Sequence, residues 1–377
     1  MKVLVAPDKF KGSMRASDVA AHVAAGIRAG APGTEVLAVP VADGGDGTLD
    51  AAVAAGFHLV PVTAAGPTGQ PVSTGYARQD RTAVVELADA CGLVRLPGGV
   101  LAPLTASSVG VGQVIAAALD AGCRRLVLAI GGSASTDGGA GMLTALGARI
   151  LDADGQPVPD GGGGLEHVAA VDLTGLHPAL AETDVVLASD VDNPLLGDHG
   201  AAAVYGPQKG ATPDDVARLD GALRVWSGAL ARALGVAEGP NGHPAAEVAG
   251  AGAAGGVGFA AVAVLHATAR PGIELMLELS GFATQLGGAD LVVTGEGSLD
   301  EQTLHGKAPA GVAAAARAAG VPVVAVAGRN LLSTDQLTAA GVRQAYALTD
   351  IESDVQRCID DPGPLLERLG RRIADSL

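Results

Sequence analysis

Charged and hydroxyl side chains in this chain gather in glycine-rich loops that come directly after short β-rich runs, and this placement limits the fold more than any other feature. Only 17% of residues are Asp, Glu, Lys or Arg, so a loop holding several of them is a local event. Residues 1–6 form a β-rich run ending in the polar loop 7–13, and a helical pattern follows with Val19, Val23 and Ile27 on one face. Residues 36–41 repeat the unit and lead into Asp43-Gly44-Gly45-Asp46-Gly47-Thr48 and another helical stretch. Near the other end, residues 291–294 and 323–326 are strand-like and flanked by Ala-rich helical segments. Alternating strand and helix imply a parallel sheet covered on both faces.

The middle reads differently. Residues 59–62, 73–78 and 83–87 are strand-like but separated by Gly/Pro turns too short for a crossover helix, which predicts antiparallel pairing. Residues 126–130 form a further buried strand that runs into Gly131, Gly132 and Ser133. Thr212 as cap, Pro213 in the first turn and the stripe Val216, Leu219, Leu223, Trp226 and Leu230 predict the clearest helix, with a packing role. The expected fold class is α/β. A discontinuous Rossmann-like (flavodoxin-like) parallel-sheet domain is built from residues 1–58 and 286–377, and a mixed α/β domain, residues 59–285, is inserted. Ligands in such folds bind at strand carboxyl ends and where domains meet, so an interdomain cleft is the expected site.

Composition narrows the partners. With 24 Lys and Arg against 40 Asp and Glu, the formal net charge of −16 opposes nucleic acid and anionic lipid, which bind through basic residues. Hydrophobic residues at 48% suffice for packed cores and exclude disorder as the main state. Aromatic residues make up only 2%, so those cores are built of Ala, Val and Leu. Cys91, Cys123 and Cys358 are widely spaced with no CxxC pair, which suggests neither disulfides nor zinc and fits a reducing cytoplasm. The N-terminal apolar run is too short for a signal peptide, and residues 248–269 are too rich in Ala and Gly for a membrane span. A soluble cytoplasmic protein is expected.

The loops carry the chemistry. In residues 6–13, Lys9 and Lys11 stand beside an Asp at the opening of a helix, a place suited to an anion. Asp43 and Asp46 lie among glycines and suit a hard cation such as Mg²⁺, although no EF-hand spacing is present. The segment 131–139 follows a strand with unobstructed backbone N–H groups, as a phosphate cradle requires. Asp190 ends a strand and reads as buried, and Lys209 in Gly-Pro-Gln-Lys-Gly adds one more cation. A GxGxxG occurs at Gly250, Gly252 and Gly255, but the preceding residues make a poor strand and no acid follows at the right distance, so a dinucleotide fingerprint is weak. Residues 294–307 mix carboxylates, hydroxyls and a lysine without a Walker motif, and His305 reads as an exposed loop residue rather than a base.

Taken in order and at these intervals, APDKFKGS, VADGGDGT, IGGSASTDGGAGML, DVDNPL, YGPQKGA, GAGAAGG, ARPGIEL and TGEGSLDEQTLHGKAP resemble the type-1 glycerate kinase family, from residue 1 to about residue 330. Asp46 stands where Glu is expected as often, and a carboxylate remains. The resemblance implies an ATP-dependent kinase acting on D-glycerate, with 2-phosphoglycerate favoured, and a Rossmann-like domain with an inserted α/β domain. Under it, Lys9 and Lys11 meet the γ-phosphate or the glycerate carboxylate. Asp43, Asp46, Glu296 and Asp300 hold Mg²⁺, and Asp190 accepts the hydroxyl proton. Gly131, Gly132, Ser133, Gly252, Gly255, Gly256, Gly295, Gly297 and Lys307 are the expected nucleotide contacts. Glycerate and ATP are then the partners, with no nucleic acid or membrane, and a homodimer is left open. The competing readings are a nicotinamide oxidoreductase using the GxGxxG and a non-catalytic hydroxyacid-binding protein.

Overall fold

The computed structural model describes residues 1–304 and 307–377, so His305 lies outside the described residues. The strands are β1 (Lys2–Pro7), β2 (Glu35–Ala38), β3 (His58–Ala65), β4 (Pro71–Gln79), β5 (Thr82–Glu86), β6 (Arg125–Ala129), β7 (Arg149–Leu151), β8 (Ala170–Asp172), β9 (Asp184–Ala188), β10 (Thr268–Arg270), β11 (Leu291–Leu299), β12 (Val323–Asn330) and β13 (Gln344–Ala347). The chain divides into two compact units. One comprises Met1–Asp43, Gly47–Phe57 and Pro271–Leu377; the other comprises Gly44–Asp46 and His58–Arg270. No described helix is long and apolar enough to cross a membrane.

The first unit holds a five-stranded sheet in the order β2-β1-β11-β12-β13, with every pair parallel. This is the flavodoxin-like order, and the chain reverses direction across the sheet between β1 and β11. Side chains alternate as the pleat demands. Val3 and Val5 pack with Val19, Val23 and Ile27 and with Leu366, Leu369 and Ile373. Leu4 and Ala6 pack on the other face with Val292, Val312 and Ala316. The helices Ala16–Gly30 and Pro362–Ala374 meet through glycine: a Cβ on Gly26 would stand 2.1 Å from the Glu367 carbonyl oxygen, and one on Gly370 2.5 Å from that of Val23.

One element departs from the sequence expectation. The strand expected over residues 291–294 continues to Leu299, through what reads as a loop. Gly295 pairs with Val326, Glu296 with Ala327 and Ser298 with Arg329, so the neighbouring strand supplies the stability that local propensity does not. Gly295 is required there because a Cβ would stand 2.1 Å from the Val326 carbonyl oxygen.

The second unit holds a six-stranded mixed sheet, β10-β9-β6-β5-β4-β3. β3, β4 and β5 pair antiparallel across short turns, whereas β5, β6, β9 and β10 are parallel. The helix Pro213–Leu234 starts with a capping box between Thr212 and Asp215. Its Trp226, fully buried, donates from Nε1 to the Gly138 carbonyl at 3.0 Å and so anchors the loop after β6.

Candidate active site

In the first unit, the polar residues stand at the carboxyl ends of the strands beside the point of reversal. Asp8 follows β1 directly, and its N–H donates to the Gly295 carbonyl at 2.7 Å, extending the β1–β11 ladder by one step. That bond fixes a carboxylate in a buried position, 7% exposed. Oδ1 accepts the Lys9 N–H at 2.6 Å. Burial, reinforced by the charge of Asp43 and less by Glu296, pushes the Asp8 carboxyl up to about 7 against the pull of Lys9. Lys9 is half-buried and points toward the start of the helix Thr48–Ala54, where a Cβ on Gly47 would be 3.6 Å from its ammonium. Lys11 is exposed.

Glu296 lies within β11 and is buried. It accepts the Thr303 hydroxyl and stands 3.9 Å from the Lys307 ammonium. Burial raises its pKa, Thr303 and Lys307 lower it, and Asp300 and Asp43 raise it further. The Asp300 carboxylate accepts the Gln302 N–H at 2.9 Å. Gly295 and Gly297 belong to the strand. A Cβ on Gly297 would be 3.4 Å from Lys11 N and Phe10 Cα, so this glycine admits the loop after β1. Asp46, exposed, falls in the second unit, apart from the unit that holds Asp43.

Among the described residues no group of three or more His, Cys, Asp or Glu forms a ready metal cage. Mg²⁺ does not need one, because it usually keeps several waters and takes one or two carboxylates plus phosphate oxygens. The donor set of the first unit fits it: Asp43, Glu296 and Asp300 offer hard oxygens, and Asp8 and Glu296, raised chiefly by burial, also face neighbouring carboxylates whose charge a cation would relieve.

The second unit presents the loop after β6. Gly131 N–H donates to Gly44 O at 3.4 Å, and a Cβ on Gly131 would be 2.6 Å from Gly45 Cα. Gly132 has φ +75°, and Ser133 is buried with its hydroxyl accepting the Lys209 ammonium at 2.8 Å. Asp137, buried, accepts the Ser108 N–H and hydroxyl at 2.7 Å each, and the Gly139 and Gly141 N–H groups at 3.2 and 3.3 Å. It thereby joins residues 107–108 to the start of the helix Ala140–Ala145.

The GxGxxG segment follows no strand, in line with the poor run that precedes it in the sequence. Gly252 commits its N–H to the Asn193 carbonyl at 2.9 Å, and its glycine is needed because a Cβ would stand 2.3 Å from the Pro194 oxygen. Cβ atoms on Gly255 and Gly256 would meet the Ser135 carbonyl oxygen at 2.1 Å and Gly138 Cα at 2.7 Å, so these glycines let one backbone lie on the loop 131–139. Asp190 is exposed and sits two residues beyond β9, not buried at its end. The strand stops at Ala188, and the chain that follows is not part of the sheet.

Sequence reasoning passed over Asp8 and Asp137 as site residues and left Lys209 without a role. Asp8 carried a usable signal, being the first carboxylate after a buried strand. The burial of Lys209 left no local trace, since its surroundings come from residues 133–137.

The fold and these loops define a two-unit α/β enzyme with charged and glycine-rich loops after β1 and β6. A model of the glycerate kinase family matches residues 3–377. The chain is 40% identical to a glycerate kinase of Bacillus subtilis (strain 168), over 100% of this chain and 98% of that protein. It is 41% identical to the glycerate 2-kinase of Escherichia coli (strain K12), over 87% of this chain and 85% of that protein. A crystal structure named for glycerate kinase 2 from Salmonella typhimurium LT2 superposes with a TM-score of 0.85 at 40% identity, covering 100% of this chain and 98% of the other. The chain belongs to the glycerate kinase family and is a kinase.

Proposed function

We propose that this kinase transfers the γ-phosphoryl group of ATP to D-glycerate with the help of Mg²⁺, giving 2-phosphoglycerate. The observation that carries the reading is the gathering of Asp8, Lys9, Asp43 and Glu296 in the first unit, beyond the ends of β1 and β2 and within the part of β11 that runs past β1, beside the point of reversal. The name of the Escherichia coli relative favours the 2-phosphate.

Phosphoryl transfer is catalysed mainly by positioning and by neutralising charge. Lys9 supplies a cation for the γ-phosphate or the substrate carboxylate. Asp43, Glu296 and Asp300 would hold Mg²⁺, which when bound neutralises phosphate oxygens. Asp8 replaces Asp190 as the acceptor of the hydroxyl proton: it is buried, fixed by the Gly295 carbonyl, and its pKa of about 7 suits a general base near neutrality. Asp190 is exposed and lies two residues beyond the end of β9. In the second unit, the N–H groups of Gly132, Ser133 and Ser135 provide backbone donors for an anionic group of one of the two ligands, those of Gly131 and Ala134 being taken by the Gly44 and Cys91 carbonyls.

Incubating the protein with MgATP and D-glycerate and reading the product by phosphorus NMR tests the reading. A 2-phosphoglycerate resonance appearing with ADP supports it. ADP without phosphoglycerate overturns the substrate, and the 3-phosphate overturns the position.

A further inference from the structure

Lys209 is a buried cation that the chemistry above does not use. It is 2% exposed, and its ammonium donates to Ser133 Oγ at 2.8 Å and to the Ser135 carbonyl. It is delivered by the short turn Pro207–Lys209 and closed off by Gly210 at φ +93°, where a Cβ would stand 2.7 Å from Leu101 Cβ. Taking an ammonium out of water costs several kcal/mol, and a residue needed only for packing would be an apolar one of similar size.

The rest of the loop shows what the lysine holds. Among the described residues, the charged group acting on it is Asp137, which is committed to Ser108, Gly139 and Gly141. Ser135 Oγ and Thr136 Oγ1 are buried and have no hydrogen-bond partner among the described residues, so these hydroxyls do not fix the loop. Gly131 and Gly132 have no side chains to do so. Between β6 and Asp137, the lysine bonds at Ser133 and Ser135 are the side-chain ties seen among the described residues.

We propose that Lys209 is a positioning residue: by tying the Ser133 hydroxyl and the Ser135 carbonyl it holds residues 131–135, whose Gly131 and Ala134 N–H groups are taken by the Gly44 and Cys91 carbonyls, in the backbone form in which the N–H groups of Gly132, Ser133 and Ser135 receive an anionic group of the substrates. The inference rests on reading that loop as an anion cradle. The lysine touches the loop and not the ligand, so its loss acts on binding more than on the chemical step.

Hydrogen exchange and steady-state kinetics on the whole protein test it, with ADP and D-glycerate as probes. In Lys209→Met, ligand-free exchange of amides 131–135 rises at least tenfold, KM for ATP or D-glycerate rises at least tenfold, and kcat stays within threefold. Unchanged exchange and KM in that variant overturn the inference, even where ADP or D-glycerate protects residues 131–135 of the wild type. If neither probe protects those amides in the wild type, the cradle reading itself fails and takes the inference with it. Should Lys209→Met not fold, Ser133→Ala removes one acceptor and keeps the lysine. A KM rise of threefold or more supports the proposal there, and no rise overturns it.

Discussion

Asp8 in the first unit and Lys209 in the second are buried charges of opposite sign, and loss of water brings each to a pKa of about 7. Their neighbours differ. Around Asp8, the charges of Asp43 and Glu296 push in the same direction as burial, and Lys9 pulls the other way. Around Lys209, the charge of Asp137 opposes burial, and the ammonium is already bonded to Ser133 and Ser135. A group pressed by like charges is ready to take up a proton or to sit beside a cation, which is what a catalytic base in a phosphate site requires. A group with its donors satisfied by a loop is suited to holding that loop. Under the proposed function, the same displacement serves chemistry in one region and shape in the other.

The largest expected effect tests the first half of that contrast. Asp8→Asn lowers kcat by about a thousandfold or more, in the range general-base removal reaches, while Asp190→Asn changes it by less than about tenfold. The reverse order in steady-state rates would falsify the assignment of the base to Asp8. Next in size, Asp43→Asn raises the Mg²⁺ concentration for half-maximal rate by about tenfold or more, and exposed Asp46→Asn moves it by less than about threefold. Equal shifts in a Mg²⁺ titration would return Asp46 to the metal site.

Stability against pH separates the two buried groups by sign. Between 3.8 and about 7, folded Asp8 keeps a proton that the unfolded chain has lost, so its contribution falls as pH rises through that window. Between about 7 and 10.5, unfolded Lys209 keeps a proton that the folded form has lost, so its contribution recovers as pH rises. Asp8→Asn is therefore expected to gain on the wild type from pH 5 to pH 8, by at most about 3 kcal/mol. Urea unfolding at the two pH values measures this, and a constant difference would remove the strain assigned to Asp8. The smallest effect concerns the support of the second loop. Gly255→Ala places a Cβ against the Ser135 carbonyl at φ +67° and costs about 2 kcal/mol, read as a fall of several degrees in Tm.

Much of this was legible in local sequence. The β-rich run of residues 1–6, the Thr212 cap and Trp226 stripe, and the short turns that force β3, β4 and β5 antiparallel each express a preference spanning a few neighbouring residues. The continuation of β11 through Gly295 and Gly297 was not legible, because glycine disfavours strands until β12 lies alongside. Neither was the exposure of Asp190, since Ser189-Asp190 after an apolar run looks the same whether or not a further element covers it.

The order of charged and glycine-rich motifs, fixed along the chain, was enough by itself to identify the family and the alternation of strands and helices. Which charges lose their water was decided only in three dimensions. Asp8 is buried because β1 and β11, some 290 residues apart in sequence, pair at their carboxyl ends, and Lys209 because a loop more than 70 residues earlier closes on its ammonium. Desolvation depends on everything that packs around a group, and no local stretch of sequence contains that information.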